Sequence, residues 1–404
     1  MVTYPKSWEK VELGEICHET TGSINPSHKP EELFTEYSMP AYDTGKRPVC
    51  VTGSSMLSAR RRLTEPCILV NKLNVRKRRV WAVLKPESNA VCSFEFIPLS
   101  SDVADLVYLQ YLTFSDQFTT YLEDATTGTS NSQKRVTSSD ILSYEFILPP
   151  LLEQRAIAEV LSGFDKHLAN LDELIAKKKA IRDGALEDLV TGSRRLSGNS
   201  SPWKQTFFTD CCNVLTGLTY SPDDVRTSGS LVLRSSNIQN GVLCFEDNVY
   251  VRSEAVTSPF VSSGDTLMCV RNGSAYLIGK TALIRGALPL NTTFGAFMSL
   301  LRPFEIINPA FLFYYTQSRA FYAQVQEVLG ATINQITKRD LSTFTLRLPA
   351  SLDEQQAIAE VLSGMDEEIR LLAEERAKVE RLKLGAMDDL LTGRVRLPLG
   401  KEAA

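Results

Sequence analysis

The chain has 404 residues, room for two or three domains, and its 44 Lys and Arg against 48 Asp and Glu leave a net charge of −4. Its apolar content is that of an ordinary globular fold, no apolar run reaches membrane-spanning length, and Met1 to Lys6 lacks a signal-peptide core, so a cytoplasmic chain without a membrane partner is expected. Eight Cys with no Cys-x-x-Cys pair fit a reducing compartment, and with only His18, His28 and His167 no His-based metal or acid–base site is expected.

Residues 1–148 read as a first α+β domain. Trp8 to Ile16 opens it, and short β-rich runs follow at Pro48 to Thr52, Cys67 to Lys72, Arg79 to Leu84 and Ala90 to Ile97, separated by turn residues such as Asp43-Thr44-Gly45. Asp105 to Glu123 has the periodicity of one helix, followed by a polar loop, Thr126 to Gln133, and a strand, Tyr144 to Leu148. Residues 149–196 form a long helix that Pro149-Pro150 introduces. Residues 197–347 repeat the order of the first domain with little identity. Strands are expected at Ser230 to Arg234, Val242 to Cys244, Asp265 to Arg271 and Thr281 to Ile284. A helix at Pro309 to Leu329, a polar loop at Gly330 to Gln335 and a strand at Phe344 to Leu348 complete the parallel. Residues 348–404 hold the second long helix and a tail.

The two helical blocks are copies. From Glu153 to Leu196 and from Glu354 to Leu397 the offset is constant, and about 23 of 44 positions are identical, far more than helical composition yields. Apolar residues at spacings of three and four (Ile157, Leu161, Leu168, Leu171, and Ile358, Leu362, Ile369, Leu372) give each block one stripe, and the two stripes suit an antiparallel coiled coil. Ser351 to Glu354 reads as a capping box for the second helix, and Gly192 and Gly393 as the C-terminal stops of the two helices. From Gln154 to Leu189 the first rod would be about 54 Å long. The fold class is therefore α+β, two globular domains alternating with two long helices in an internal, pseudo-twofold repeat.

Catalytic chemistry is hard to find. Ser274 to Thr281 resembles a phosphate-binding loop with Ser for its first Gly, but strand-like flanks favour a hairpin over the strand-to-helix turn that phosphate binding needs. No Gly-x-Gly-x-x-Gly, Asn-Pro-Pro-aromatic or Gly-x-Ser-x-Gly run occurs, so neither a catalytic residue nor a bound cofactor is expected. What stands out instead is cations interleaved with short polar donors. Arg60, Arg61, Arg62, Lys72, Asn74, Arg76, Lys77, Arg78, Arg79, Lys134 and Arg135 are candidates for DNA contact in the first domain. In the second they are Arg234, Ser235, Asn237, Arg271, Asn272, Lys280 and Lys338. Lys and Arg neutralise phosphates, and Arg and Asn can pair with base edges. The bland reading of each run is a solvated charged face. Repeated polar residues off the apolar stripe, Glu159, Ser162 and Asp165 with Glu360, Ser363 and Asp366, are candidates for binding a partner, because packing between the rods does not require them.

The whole length resembles the specificity subunits of type I restriction–modification systems. The resemblance rests on Leu-Pro followed by Glu-Gln and Ile-Ala, on Leu161 to Asp165 and Leu362 to Asp366, and on the closing Leu-x-Thr-Gly at Leu189 to Gly192 and Leu390 to Gly393. Lys72-Leu73-Asn74 with Arg76, and Val270 to Gly273, are similar to text in the recognition domains of that family. The resemblance implies a non-catalytic chain that reads a bipartite double-stranded DNA target, one domain per half-site. It also implies two methyltransferase subunits, which would carry S-adenosylmethionine, and in the full complex two restriction subunits. The reading kept beside it is a helical scaffold that docks proteins without reading DNA.

Overall fold

A computed structural model describes residues 7–126, 134–196, 198, 202–286, 288–289, 291–330 and 334–398. Most of the first expected polar loop, 127–133, and the centre of the second, 331–333, lie outside the described residues. The chain divides into two compact units, Met1–Asp172 with Glu375–Ala404, and Glu173–Glu374.

In the first unit Glu9–Glu12 pairs antiparallel with Glu145–Leu148, Glu9 opposite Leu148. A four-stranded sheet has the order His18–Glu19, Phe96–Ser100, Cys67–Asn71, Val80–Val83. Every residue of its two central strands is buried, which explains their unbroken apolar text. A five-stranded sheet joins Ser23–Ile24, Arg60–Arg62, Ala90–Cys92, Leu33–Tyr37 and Val49–Thr52. The single strand expected over Ala90 to Ile97 is thus two strands in different sheets, Ala90–Cys92 and Phe96–Ser100. A tight turn closed by the Phe96 N–H on the Ser93 carbonyl separates them.

The expected helix over Asp105 to Glu123 is also two, α1 (Leu106–Phe114) and α2 (Asp116–Ala125). Asp105 caps α1, its carboxylate accepting from the Val107 and Tyr108 N–H groups. Ser115 leaves the helical region (φ −67°, ψ 159°) and its hydroxyl caps α2 by accepting from Phe118 N–H. A Ser that can serve as a cap competes with the helix interior, and here the cap wins. The chain then enters α3 (Leu151–Thr191), a helix of 41 residues.

The second unit repeats the plan. Lys204–Phe207 pairs antiparallel with Thr345–Leu348. A four-stranded sheet runs Cys212–Thr216, Met298–Pro303, Thr266–Cys269, Thr281–Leu283, the same order by position as in the first unit. Its helical pair is again broken at a serine. Helix α4 (Pro309–Tyr315) is capped by Asn308, and α5 (Arg319–Leu329) by Ser318. Helix α6 (Leu352–Leu391) has 40 residues.

Both long helices contribute to both cores. In the first unit Ile157, Ala158 and Leu161 of α3 and Met387, Leu390 and Leu391 of α6 pack with Tyr108, Leu109 and Phe118. In the second, Ile358, Ala359 and Leu362 of α6 and Leu186, Leu189 and Val190 of α3 pack with Phe311, Phe321 and Phe208. The helices run antiparallel. Within the first unit Lys383 pairs with Asp165 (2.5 Å) and Arg376 with Asp172 (2.8 Å); within the second Arg182 pairs with Asp366 (2.8 Å) and Lys178 with Glu368 (2.6 Å). Gly192 and Gly393 follow the helices at φ 72° and 67°, and a Cβ on Gly192 would lie 2.9 Å from the Trp203 ring, so both conformation and space call for glycine there. Among the described residues, no helix is long and apolar enough to cross a membrane.

Candidate nucleic-acid interface

One surface of the first unit gathers several of the expected DNA contacts. Strand Cys67–Asn71 leads into a 3-10 turn, Val75–Lys77, entered and left through Asn74 and Arg78 in the left-handed region (φ 53° and 38°). The Asn74 N–H donates to the Lys134 carbonyl (3.0 Å), the Val136 N–H to the Lys72 carbonyl (3.0 Å), and Leu73 forms an isolated bridge with Arg135. Lys72, Asn74, Arg76, Lys77, Lys134 and Arg135 therefore share one platform. Among the described residues, Arg62, Lys72, Lys77 and Lys134 make no ion pair, which leaves their charges for an external anion.

The remaining arginines have internal work. Arg60 pairs with Glu36 (2.6 Å), Arg61 with Glu19 (2.5 Å), Arg76 with Glu123 (2.6 Å), Arg78 with Asp116 (2.5 Å) and Arg135 with Glu95 (2.7 Å). Arg79 corrects the expectation most clearly. It is buried and donates to both carboxylate oxygens of Asp43 (2.8 and 2.7 Å), so it holds the sheet to the Met39–Gly45 helix and does not reach a groove. That fork holds the Asp43 carboxyl below the usual carboxylate range.

The second unit builds the same platform from other residues. Arg271 bridges Gln335, the Ile336 N–H donates to the Val270 carbonyl (2.8 Å), and a 3-10 turn follows at Ala275–Leu277. No helix begins at Lys280; the segment leads into the strand Thr281–Leu283, antiparallel to Thr266–Cys269, so Ser274 to Thr281 is a hairpin and not a phosphate loop. Asn272 donates from Nδ2 to Ser235 Oγ (3.2 Å), and Lys280 Nζ donates to the Ser235 and Ile238 carbonyls (2.5 and 3.1 Å). Lys280 is thus a pin between strand and turn, and burial pushes its pKa down. Asn237 is likewise corrected: it is fully buried, its Oδ1 accepting from the Arg234 N–H and its Nδ2 donating to the Cys244 carbonyl. Arg234 pairs with Asp247 (2.7 Å), while Arg271 and Lys338 are exposed and make no ion pair among the described residues.

Three aromatic residues at these surfaces escaped the sequence reading. Phe94 and Phe297, both exposed, sit in the turns before the central strands Phe96–Ser100 and Met298–Pro303. The guanidinium groups of Arg61 and Arg271 lie 5.1 Å from their respective ring centroids. Tyr276, in the turn that matches Val75–Lys77, is 96% exposed. An aromatic residue in a strand-like run reads as core, and the turns that interrupt these runs leave the three exposed.

The repeated polar residues of the long helices divide into two groups. Glu153 is buried and accepts from Trp8 Nε1 (3.1 Å) and, through both oxygens, from Arg396 (2.9 and 2.7 Å). Glu354 is treated identically by Trp203 Nε1 (3.2 Å) and Arg195 (2.9 and 2.8 Å). The expected capping box at Ser351 is therefore only half made: Ser351 Oγ accepts from the Asp353 N–H, but Glu354 is spent on Trp203 and Arg195. Asp165 accepts from Tyr111 Oη (2.6 Å) and pairs with Lys383, and Ser162 Oγ lies 3.3 Å from the same Oη. Asp366 accepts from Tyr314 Oη (2.8 Å) and pairs with Arg182, while Ser363 is half-buried. Burial and these carboxylates push the Tyr111 hydroxyl up and the Tyr314 hydroxyl up to about 12. Glu159 and Glu360 remain exposed.

Comparison with known proteins meets this geometry directly. Residues 87–179 and 200–381 match the family described as type I restriction modification DNA specificity domain. The chain is 33% identical over 150 residues to the StySPI specificity subunit of Salmonella potsdam, 37% of this chain and 31% of that one. It is 30% identical over 158 residues to the EcoKI specificity subunit of Escherichia coli K12, 38% of this chain and 33% of that one. It is 24% identical over 266 residues to the MjaVIII specificity subunit of Methanocaldococcus jannaschii, 62% of each. The chain thus spans less than two thirds of the length of these curated relatives. In fold it is similar to a chain solved in a study of complex assembly and conformational transition of the type I R-M system (TM-score 0.65, 21% identity, 97% of this chain and 100% of that one). It is also similar to a type I S subunit from M. genitalium (TM-score 0.58, 16% identity, 95% of this chain and 96% of that one). With residues 87–179 and 200–381, well over half of the chain and most of both long helices, inside the match, this chain belongs to the type I restriction–modification DNA specificity family.

Proposed function

We propose that each unit reads one half of a bipartite double-stranded DNA target and that the repeated helical blocks hold two methyltransferase subunits. The observation that carries this reading is the platform built twice with different side chains. The same strand end, 3-10 turn and isolated bridge presents Lys72, Arg76, Lys77 and Lys134 in the first unit and Arg271, Asn272 and Tyr276 in the second. A constant scaffold with variable tips is what two readers of unlike half-sites require. The unpaired cations set the register on phosphates, and the polar and aromatic tips meet base edges. The chain takes no chemical step itself. S-adenosylmethionine belongs to the methyltransferases, and restriction subunits, where present, join through the assembled complex in the cytoplasm.

The test is exchange of residues 7–148 for the corresponding domain of another specificity subunit, with genomic methylation mapped in cells carrying the chimera. One half of the methylated sequence should change and the other should stay. A change in both halves would refute the two-reader arrangement.

A further inference from the structure

Each unit carries a second matched surface, where the loop before the helical pair meets the first turn of a long helix. In the second unit Gln355, itself buried, accepts from the Asn308 N–H (2.7 Å) and donates to the Ile306 and Pro349 carbonyls (3.1 and 2.9 Å). It thereby pins the loop 303–309 against the start of α6. Beside it opens a cleft of about 570 Å³ whose lining includes Phe304, Glu305, Leu352, Asp353 and Gln356. Phe304, Ile306 and Leu352 are all exposed, Ile306 to 49%. Asn308 Nδ2 donates to Gln356 Oε1, and Gln356 Nε2 to Glu360 Oε1 (2.7 Å), which places Glu360 on the same side.

The first unit repeats the arrangement on α3. Gln154 accepts from the Asp105 N–H (2.9 Å) and donates to the Pro149 carbonyl (2.8 Å). Val103, exposed to 59%, takes the place of Ile306, and the exposed Leu151 that of Leu352. Asp102 and Glu159 stand where Glu305 and Glu360 stand. The rim is wholly acidic in the second unit and mixed in the first, where the exposed Arg155 replaces Gln356 and Leu152 replaces Asp353. Exposed branched apolar residues beside Glu159 and Glu360 are a poorer fit to DNA phosphates than to an apolar protein surface. The domains around the two patches differ in sequence, so a patch common to both fits a partner that occurs as two identical copies.

From this we infer that Val103 with Leu151, and Ile306 with Leu352, are the centres of the two methyltransferase docking sites, with Glu159 and Glu360 beside them meeting basic residues of the partner. The inference rests on the reading of this chain as the holder of two methyltransferases. It moves the centre of docking from Asp165 and Asp366, which are committed to internal bonds, to the helix starts, and it keeps Glu159 and Glu360.

The experiment is native mass measurement of the full chain purified with the methyltransferase subunit of its own system. The wild-type chain should carry two copies. Val103→Glu with Leu151→Glu should leave one, Ile306→Glu with Leu352→Glu should leave one, and the four changes together none, each site losing about tenfold or more in affinity. Two copies on the fourfold variant would overturn the assignment while leaving the two-methyltransferase reading intact; a wild-type chain that carries none would overturn both. A dimer of the chain alone, abolished by the same changes, would make the occupant a second copy and overturn it too. Circular dichroism checks the fold, and the milder Val103→Ser with Ile306→Ser keeps the question open to refutation if the glutamates unfold the chain. Unchanged affinity in that natively folded serine variant also overturns the proposal.

Discussion

Arg76 to Arg79 show how one run of cations splits into different tasks. Arg79 points into the unit and forks onto Asp43, while Lys77, on the turn, makes no ion pair among the described residues and acts on Asp43 only at longer range. Replacing Lys77 and Lys134 by Ala should weaken binding to all DNA sequences and lower the slope of affinity against salt by about one for each phosphate no longer neutralised. Arg79→Ala should lower the melting temperature and leave that slope unchanged, a distinction that binding at three salt concentrations and one thermal scan would make. Because the folded-state pKa of Asp43 lies below its unfolded value, its contribution to stability is present above about pH 4 and is lost as pH falls through the depressed value. Asp43→Asn should therefore be less stable than wild type at pH 7, and the two should converge in acid denaturation. That the run concentrates positive charge was legible from its composition. Which member faces inward was not, because the left-handed turns at Asn74 and Arg78 redirect the chain by one residue's worth of φ, and neither position is a glycine that would announce it.

At the scale of elements, the repeat fixed the helices and their pairing, since stripe spacing and block identity depend on nothing beyond the blocks. Their polar residues could not be read the same way. Glu153 and Glu354 look like first-turn acids on a solvated face, yet each is buried beneath a Trp and an Arg from distant parts of the same unit. Arg396→Ala should leave the buried Glu153 carboxylate with the Trp8 N–H and lower stability by more than the loss of an exposed pair does. Lys383→Met should cost about 1 kcal/mol or less, as Asp165 keeps Tyr111 and water. Urea denaturation of the two variants should rank them in that order; the reverse would mean that the ties to Asp165 dominate. The breaks at Ser115 and Ser318 were equally hidden. Apolar periodicity runs through both serines, and only the geometry of the helical pairs selects a cap over one more helical turn.

The whole molecule is one plan executed twice, as the repeat implied, but the plan's joints differ in one respect. Around Glu354, Arg195 and Trp203 are neighbours in the chain, separated by the segment 196–202; around Glu153, the equivalent Arg396 and Trp8 belong to opposite stretches of the sequence. The two carboxylates see the same pair of side chains, joined in one case and unjoined in the other. Linking residue 398 to residue 7 with a short flexible tether and cutting between 196 and 202 would exchange the joined pair for the unjoined one. Such a permuted chain should keep the melting temperature of the wild type within a few degrees, because each carboxylate keeps the same two partners whichever pair the backbone joins.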